Sequence, residues 1–191
     1  MLNNIITSLY NVQDKTAIWE ITNSCNLKCR HCYNECNSDY SVSLNEAKTV
    51  LYKIKNLGVT HIHFLGGEPL LYPNIIDIIK LSKNEGLYVS VNTNGTLINY
   101  EMAKELKKSK IDLLMVSVDG MNSETNDYIR GKGTLERVKH SINTLINEEL
   151  RIGITITLSD INANQIEPTI DSCLKNHIPI LLPGFFHVKL L

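Results

Sequence analysis

Short apolar runs rich in β-branched residues recur along the chain and alternate with segments of helical period, the pattern of repeated βα units around a mostly parallel sheet. Six strands are predicted: AIWEIT (17–22), THIHFL (60–65), YVSVNTN (88–94), DLLMVSV (112–118), RIGITITL (151–158) and IPILL (178–182). Parallel strands buried on both faces usually read as continuous apolar runs. Here most alternate with period two instead. Ile62 and Phe64 alternate with His61 and His63, and Val89 and Val91 with Tyr88, Ser90 and Asn92. Val116 and Val118 are set against Ser117 and Asp119, and Ile152, Ile154 and Ile156 against Thr155 and Thr157. One face of the sheet is therefore polar. Helices must cover the apolar face, so the polar set points to the inside of a curved sheet. A closed eight-stranded barrel fills that space with branched aliphatic side chains, so the pattern predicts an open, partial barrel around a wet cavity, with an open sheet solvated on one face as the alternative. Pro179 in the last strand agrees, because proline is tolerated at a sheet edge.

The helical segments carry ordinary start and stop signals. Ser43 and Glu46 form an S-x-x-E capping box and Gly58 ends that helix, while Pro73 opens the next and Gly86 closes it. Asn99 suits the cap of a third helix, Thr134 that of a fourth, and 164–177 reads as a fifth. No linker or repeat interrupts the series, and 191 residues with 43% hydrophobic content suit one domain.

Charge narrows the choices further. The 19 Lys and Arg residues against 20 Asp and Glu give a formal net charge of -1, which favours neither nucleic acid nor an anionic membrane. The basic run KELKKSK (104–110) continues an amphipathic pattern and reads as a solvated face. No apolar run has transmembrane length, and the first residues lack the basic start and apolar core of a signal peptide. The expectation is a cytoplasmic protein.

Candidate chemistry concentrates after the first strand. CNLKCRHCY (25–33) puts Cys25, Cys29 and Cys32 in a C-x3-C-x2-C spacing, with Cys36 close behind. Ligand sites collect at this end of βα units. Three thiolates can hold three corners of a [4Fe-4S] cluster and leave one iron open to a small molecule. Four cysteines at intervals of three, two and three residues match neither the paired C-x2-C spacing of zinc sites nor a ferredoxin run. Spacing alone still leaves three readings: an open iron cluster, a zinc or closed electron-transfer cluster, and unligated thiols. The fifth cysteine, Cys173, lies in a helical pattern and reads as core.

Further motifs end the later strands: GGEP (66–69), NTNG (92–95), SVDG (117–120) and, beyond them, YIRGKGTLERV (128–138). Each has an ordinary local explanation, Asn94-Gly95 as a turn and Asp119 as a cap among them. The cysteine spacing followed by an aromatic residue, Tyr33, resembles the signature of radical S-adenosylmethionine (SAM) enzymes. With the later motifs it is most similar to the peptide- and protein-modifying, SPASM-type subgroup. The resemblance runs from Ile18 to about Leu182. It implies an α/β fold, a partial (β/α)6 barrel of the radical SAM type, in one core domain over 1–191 with the subgroup's cysteine-rich C-terminal extension absent or truncated.

It also implies roles for particular residues. Cys25, Cys29 and Cys32 would bind the cluster, and Tyr33, Gly66, Gly67, Glu68, Pro69, Asn94, Ser117 and Arg130 would line the SAM site. Arg130 would grip the SAM carboxylate, a task for which a guanidinium is suited by its paired donors. The implied reaction is reductive cleavage of SAM to a 5'-deoxyadenosyl radical. The implied partners are a peptide or protein substrate and an electron donor such as ferredoxin or flavodoxin. His63, expected on the cavity face, is a candidate for substrate binding or proton transfer or else a satisfied interior residue. His31, between cluster cysteines, is expected to be a loop residue, while Thr155 and Thr157 are candidates for lining the cavity.

Overall fold

The structure, a computed structural model, describes residues 15–34 and 42–181. Its strands are β1 (Lys15–Thr22), β2 (Val59–Gly66), β3 (Tyr88–Thr93), β4 (Leu113–Ser117), β5 (Ile152–Thr155) and β6 (Ile180–Leu181). They form one parallel sheet in the order β1-β2-β3-β4-β5-β6, so each strand pairs with its successor and, among the described residues, β1 and β6 are the edges. Among the described residues six α-helices accompany them: α1 (Leu44–Asn56), α2 (Ile75–Asn84), α3 (Tyr100–Lys108), α4 (Ser123–Arg130), α5 (Thr134–Asn147) and α6 (Ile166–Lys175). Sequential strand order with helical crossovers is a singly wound sheet, the open counterpart of a βα barrel.

The period-two pattern sorts the two faces as expected. Ile62, Phe64, Val89, Val91, Leu114 and Val116 are fully buried under the helices. In register beside them, the opposite face runs in rows: Thr16 with His61 and Tyr88, then Ile18 with His63, Ser90 and Leu113. The next rows are Glu20 with Leu65, and Asn92 with Met115 and Gly153, ending in Ser117 with Thr155. Ile18 is 68% exposed although it sits mid-strand. The concave face is therefore open at β1, whereas on β4 and β5 Met115, Ser117 and Thr155 are buried.

Local chemistry explains most helix ends. Ser43 and Glu46 cap α1 reciprocally, and Asn99 Oδ1 accepts from Met102 N at 2.8 Å to start α3. Gly58 and Gly86 follow α1 and α2 in the left-handed region, at φ 74° and 79°. Later crossovers make the same turn at Lys110, Glu149 and His177, which no glycine announces.

Three expectations need correction. Pro73 does not open α2, because residues Pro69–Leu71 form a 3-10 turn first and the helix starts at Ile75. Thr134 is the first residue of α5 and not its cap. Asp127 of α4 accepts from Gly133 N and Leu135 N at 2.6 and 2.9 Å, supplying the capping oxygens from the neighbouring helix. Pro179 immediately precedes β6 and offers its carbonyl to Ile154 N at 2.8 Å. Helix α4 itself was not expected; its eight residues are too few to show a helical period. Leu182 and Cys36 lie outside the described residues. Among those described, no helix is long and apolar enough to cross a membrane.

Candidate active site

The carboxyl ends of β1 to β5 meet the cysteine loop here, and the loop is held from three sides. Gly67 N donates to Thr22 O at 2.7 Å and Glu68 N to Ser24 O at 2.8 Å, so the GGEP segment continues the β1–β2 pairing into the start of the loop. This is what its glycines are for structurally. A Cβ on Gly66 would lie 2.2 Å from Thr22 O, and one on Gly67 would lie 2.2 Å from Ser24 O. From the β3 side, Asn94 Nδ2 donates to Asn26 Oδ1 at 2.8 Å and stands 4.0 Å from Cys25 Sγ. From α4, Ile129 O accepts from Arg30 N at 2.9 Å and Tyr128 O from Arg30 Nε at 2.8 Å, with the Arg30 guanidinium 4.1 Å over the Tyr128 ring.

Cys25, Cys29 and Cys32 are free of disulfides. Leu27 N donates to Cys25 Sγ at 3.4 Å and Cys32 N to Cys29 O at 3.1 Å, which curls the loop around its thiols. Burial pushes the Cys29 thiol up to about 11; Arg130 opposes the rise, and Cys25, Cys32 and Asp119 add to it. The Cys29 sulfur becomes a thiolate only with a strong local positive charge, which cationic iron provides. Among the described residues, no three His, Cys, Asp or Glu side chains converge as ligands of a single metal ion. The donor set fits a [4Fe-4S] cluster, whose corners take one thiolate each.

Two buried carboxylates organise the floor. Glu68, fully buried, accepts from Leu70 N at 3.0 Å, Thr93 Oγ1 at 2.7 Å and Asn94 N at 2.7 Å. Burial pushes its pKa above the usual carboxylate range, while those donors and Arg130 pull it down. Asp119, also fully buried, joins three elements: its Oδ2 is 2.6 Å from both His31 Nε2 and Arg130 Nε, and its Oδ1 accepts from Thr157 N at 3.0 Å. Burial would raise the pKa of Asp119, but Arg130, His31 and Thr157 hold it below the usual range. The Arg130 Nε–H is not aligned on the carboxylate, so that contact is ionic and undirected. The guanidinium, 6% exposed, makes no other ion pair or hydrogen bond among the described residues.

The expected site residues separate into two groups. Arg130 and Ser117 have donors to spare: Ser117 ends β4, is 6% exposed, and has no side-chain hydrogen bond among the described residues. The others already carry structural contacts. Asn94 Oδ1 accepts from Thr96 N and Thr96 Oγ1, at 2.9 and 2.7 Å, in an Asx turn. Pro69 begins the buried 3-10 turn. Tyr33 is 74% exposed and donates to Glu20 Oε1 at 2.8 Å. Asp119 does not cap the next helix; Asn122 does, accepting from Thr125 N at 2.8 Å. Thr157 meets Asp119 through its backbone, and Thr155 Oγ1 donates to Asn92 Oδ1 at 3.2 Å. His31 proves to be more than a loop residue, because it ties the cysteine loop to Asp119. The polar period of SVDG on the cavity face was the signal for Asp119, whereas nothing in the sequence pointed to its pairing with His31.

A family model described as "Radical SAM superfamily" matches residues 19–173. Fe-coproporphyrin III synthase of Methanosarcina barkeri is 31% identical over 176 residues, covering 90% of this chain and 43% of the relative. AdoMet-dependent heme synthase of the same organism is 32% identical over 174 residues, covering 86% and 50%. The chain thus spans about half the length of these curated relatives. The crystal structure of Streptococcus suis SuiB bound to S-adenosylmethionine superposes with a TM-score of 0.80 at 21% identity, covering 93% of this chain and 43% of SuiB. SuiB bound to its precursor peptide SuiA superposes with a TM-score of 0.79 at 20% identity, covering 100% and 45%.

Proposed function

The chain belongs to the radical SAM superfamily, a family of enzymes that use a [4Fe-4S] cluster and SAM, and from that premise we propose that it generates a 5'-deoxyadenosyl radical and abstracts hydrogen from a substrate on the concave face. The observation that carries this reading is the juxtaposition of three thiols with a charged, otherwise unengaged Arg130 at the carboxyl end of the sheet. Cys25, Cys29 and Cys32 would hold the cluster, leaving one iron without a protein ligand. The cluster, when bound, supplies the electron that splits the sulfonium bond of SAM.

The protein's own residues bind and orient. Arg130, fixed by Asp119, would offer paired donors to the SAM carboxylate. Ser117 would offer its hydroxyl to the nucleoside portion, and Tyr33 and the main chain of Gly66 to Pro69 would bound the site. Asn94 and Glu68 would act one step back, by holding the cysteine loop and the β3 turn. No protein acid, base or nucleophile is required to break SAM, so the chain's task is positioning and exclusion of water.

A peptide or protein is the proposed substrate, supported by the motif combination and by the likeness of the fold to SuiB, which is seen with a precursor peptide. A second reading, a tetrapyrrole, is favoured by the two Methanosarcina barkeri relatives, named for iron porphyrin and haem products. Anaerobic incubation of iron-loaded protein with SAM and dithionite tests the class. 5'-Deoxyadenosine is expected; its absence, or zinc at one equivalent without iron or sulfide in the anaerobically purified protein, overturns the reading. Stimulation of that product by cellular peptide fractions, against stimulation by iron coproporphyrin, decides between the substrates.

A further inference from the structure

The concave face carries a second polar group that the cofactor site does not use. His61 and His63 project from β2 and Ser90 from β3, with His63 and Ser90 paired in register. His63 lies three residues before Gly66, about 10 Å below the mouth of the site at the rise of a strand. Ser90 Oγ is 2.6 Å from His63 Nδ1 and 2.7 Å from His61 Nε2, and His61 Nδ1 is 3.4 Å from Thr16 Oγ1. The Tyr88 ring meets His61 edge-on at 4.9 Å and fixes its plane. Ser90 is 1% exposed beneath the two imidazoles. Nε2 of His63 makes no hydrogen bond among the described residues, and the residue is half-buried. Beside it in register is the open Ile18.

A hydroxyl has one proton to donate, so a chain of two imidazoles joined through Ser90 has two fully directed arrangements. In one, His63 Nδ1–H donates to Ser90, Ser90 to His61 Nε2, and His61 Nδ1–H to Thr16. In the other, every bond is reversed and the proton of His63 sits on Nε2. The two differ only by a shift of protons along the row, and both are neutral.

We propose that Thr16, His61, Ser90 and His63 form a proton relay whose open end, Nε2 of His63, exchanges a proton with an N–H or O–H group of the substrate. This rests on the reading of the concave face as the substrate side. As Nε2 takes up a proton, Nδ1 gives its own to Ser90 Oγ, and Ser90 passes its hydroxyl proton to His61 Nε2. His61 Nδ1–H then goes to Thr16, whose own hydroxyl proton leaves to water at the exposed start of β1. One proton enters, one leaves, and no charge accumulates. Neutral passage matters because burial and the neighbouring His61 push His63 down to about 4, so an imidazolium would not persist there. The ligand class is thus a substrate with a protic heteroatom near the reacting carbon.

The test uses iron-loaded full chain labelled with 15N-histidine at pH 7 and long-range 1H–15N spectra. The relay requires His61 and His63 to be neutral and to share one tautomer, both Nδ1–H or both Nε2–H. Opposite tautomers, with Ser90 accepting from both rings, or a charged ring, overturn it. Diethyl pyrocarbonate with peptide mapping tests the open end: His63 is expected to react along with the exposed control His140, and a silent His63 beside a modified His140 overturns it. 5'-Deoxyadenosine formation by the same sample reports separately on the radical SAM reading, so either claim can fail alone.

Discussion

Replacing Gly67 by alanine tests whether the GGEP segment acts by packing. The new Cβ would lie 2.2 Å from Ser24 O, 2.6 Å from Ser24 C and 2.7 Å from Asn23 O, all main-chain atoms that no side-chain rotation can move. To reach ordinary contact at 3.4 Å the loop start must retreat by more than 1 Å. That retreat breaks the 2.7 and 2.8 Å bonds from Gly67 N and Glu68 N. Two backbone hydrogen bonds are worth about 2 kcal/mol together, and overpacking adds roughly 1–3 kcal/mol. A loss of about 4 kcal/mol corresponds, for a chain of 191 residues, to a fall in Tm of about 10 °C. Gly86→Ala is the control, since nothing lies within 4 Å of its Cβ and only the left-handed backbone at φ 79° is strained, at about 1 kcal/mol. Calorimetry under anaerobic conditions and iron and sulfide content after reconstitution are the readouts. Gly67→Ala that melts no lower than Gly86→Ala and keeps its iron would refute the packing argument and return these glycines to a purely ligand-facing role.

Asp119→Ala leaves the Arg130 cation buried without its partner and is expected to cost about 3–5 kcal/mol in urea unfolding, together with weaker SAM binding by equilibrium dialysis; unchanged stability would show that the ion pair is idle. Glu68→Ala strands the donors of Leu70, Thr93 and Asn94, at about 3 kcal/mol or more, and the same unfolding assay checks it. For His63 the neutral form is native and the folded pKa, about 4, lies below the ordinary imidazole value of 6.5. The unfolded chain therefore binds the extra proton, and stability should be complete above pH 6.5 and fall as the pH drops toward 4. The contribution is at most about 3 kcal/mol, read as the difference in pH dependence between the wild type and His63→Asn.

The sequence alone determined the six strands, their parallel sense and the apolar face that the helices cover, because side-chain period and β-branched runs report directly on which face is buried; the other face proved mixed, with Ile18, Leu65, Leu113 and Met115 among its polar residues. It also located the thiol loop, since ligand spacing within one short segment needs no folding to be read. Helix ends with glycine were legible, and those at Lys110, Glu149 and His177 were not, because a left-handed turn forced by the crossover leaves no mark in composition. The folded chain decided what each motif residue touches. Gly66 and Gly67 face the backbone of 22–24, Asn94 holds Asn26, and Asp119 gathers His31, Arg130 and the main chain of Thr157 from three separate elements. Contacts across 27 to 88 positions of sequence, such as His63 with Ser90 or His31 with Asp119, exist only once parallel strands bring their ends together. A one-dimensional pattern carries periodicity but no partner.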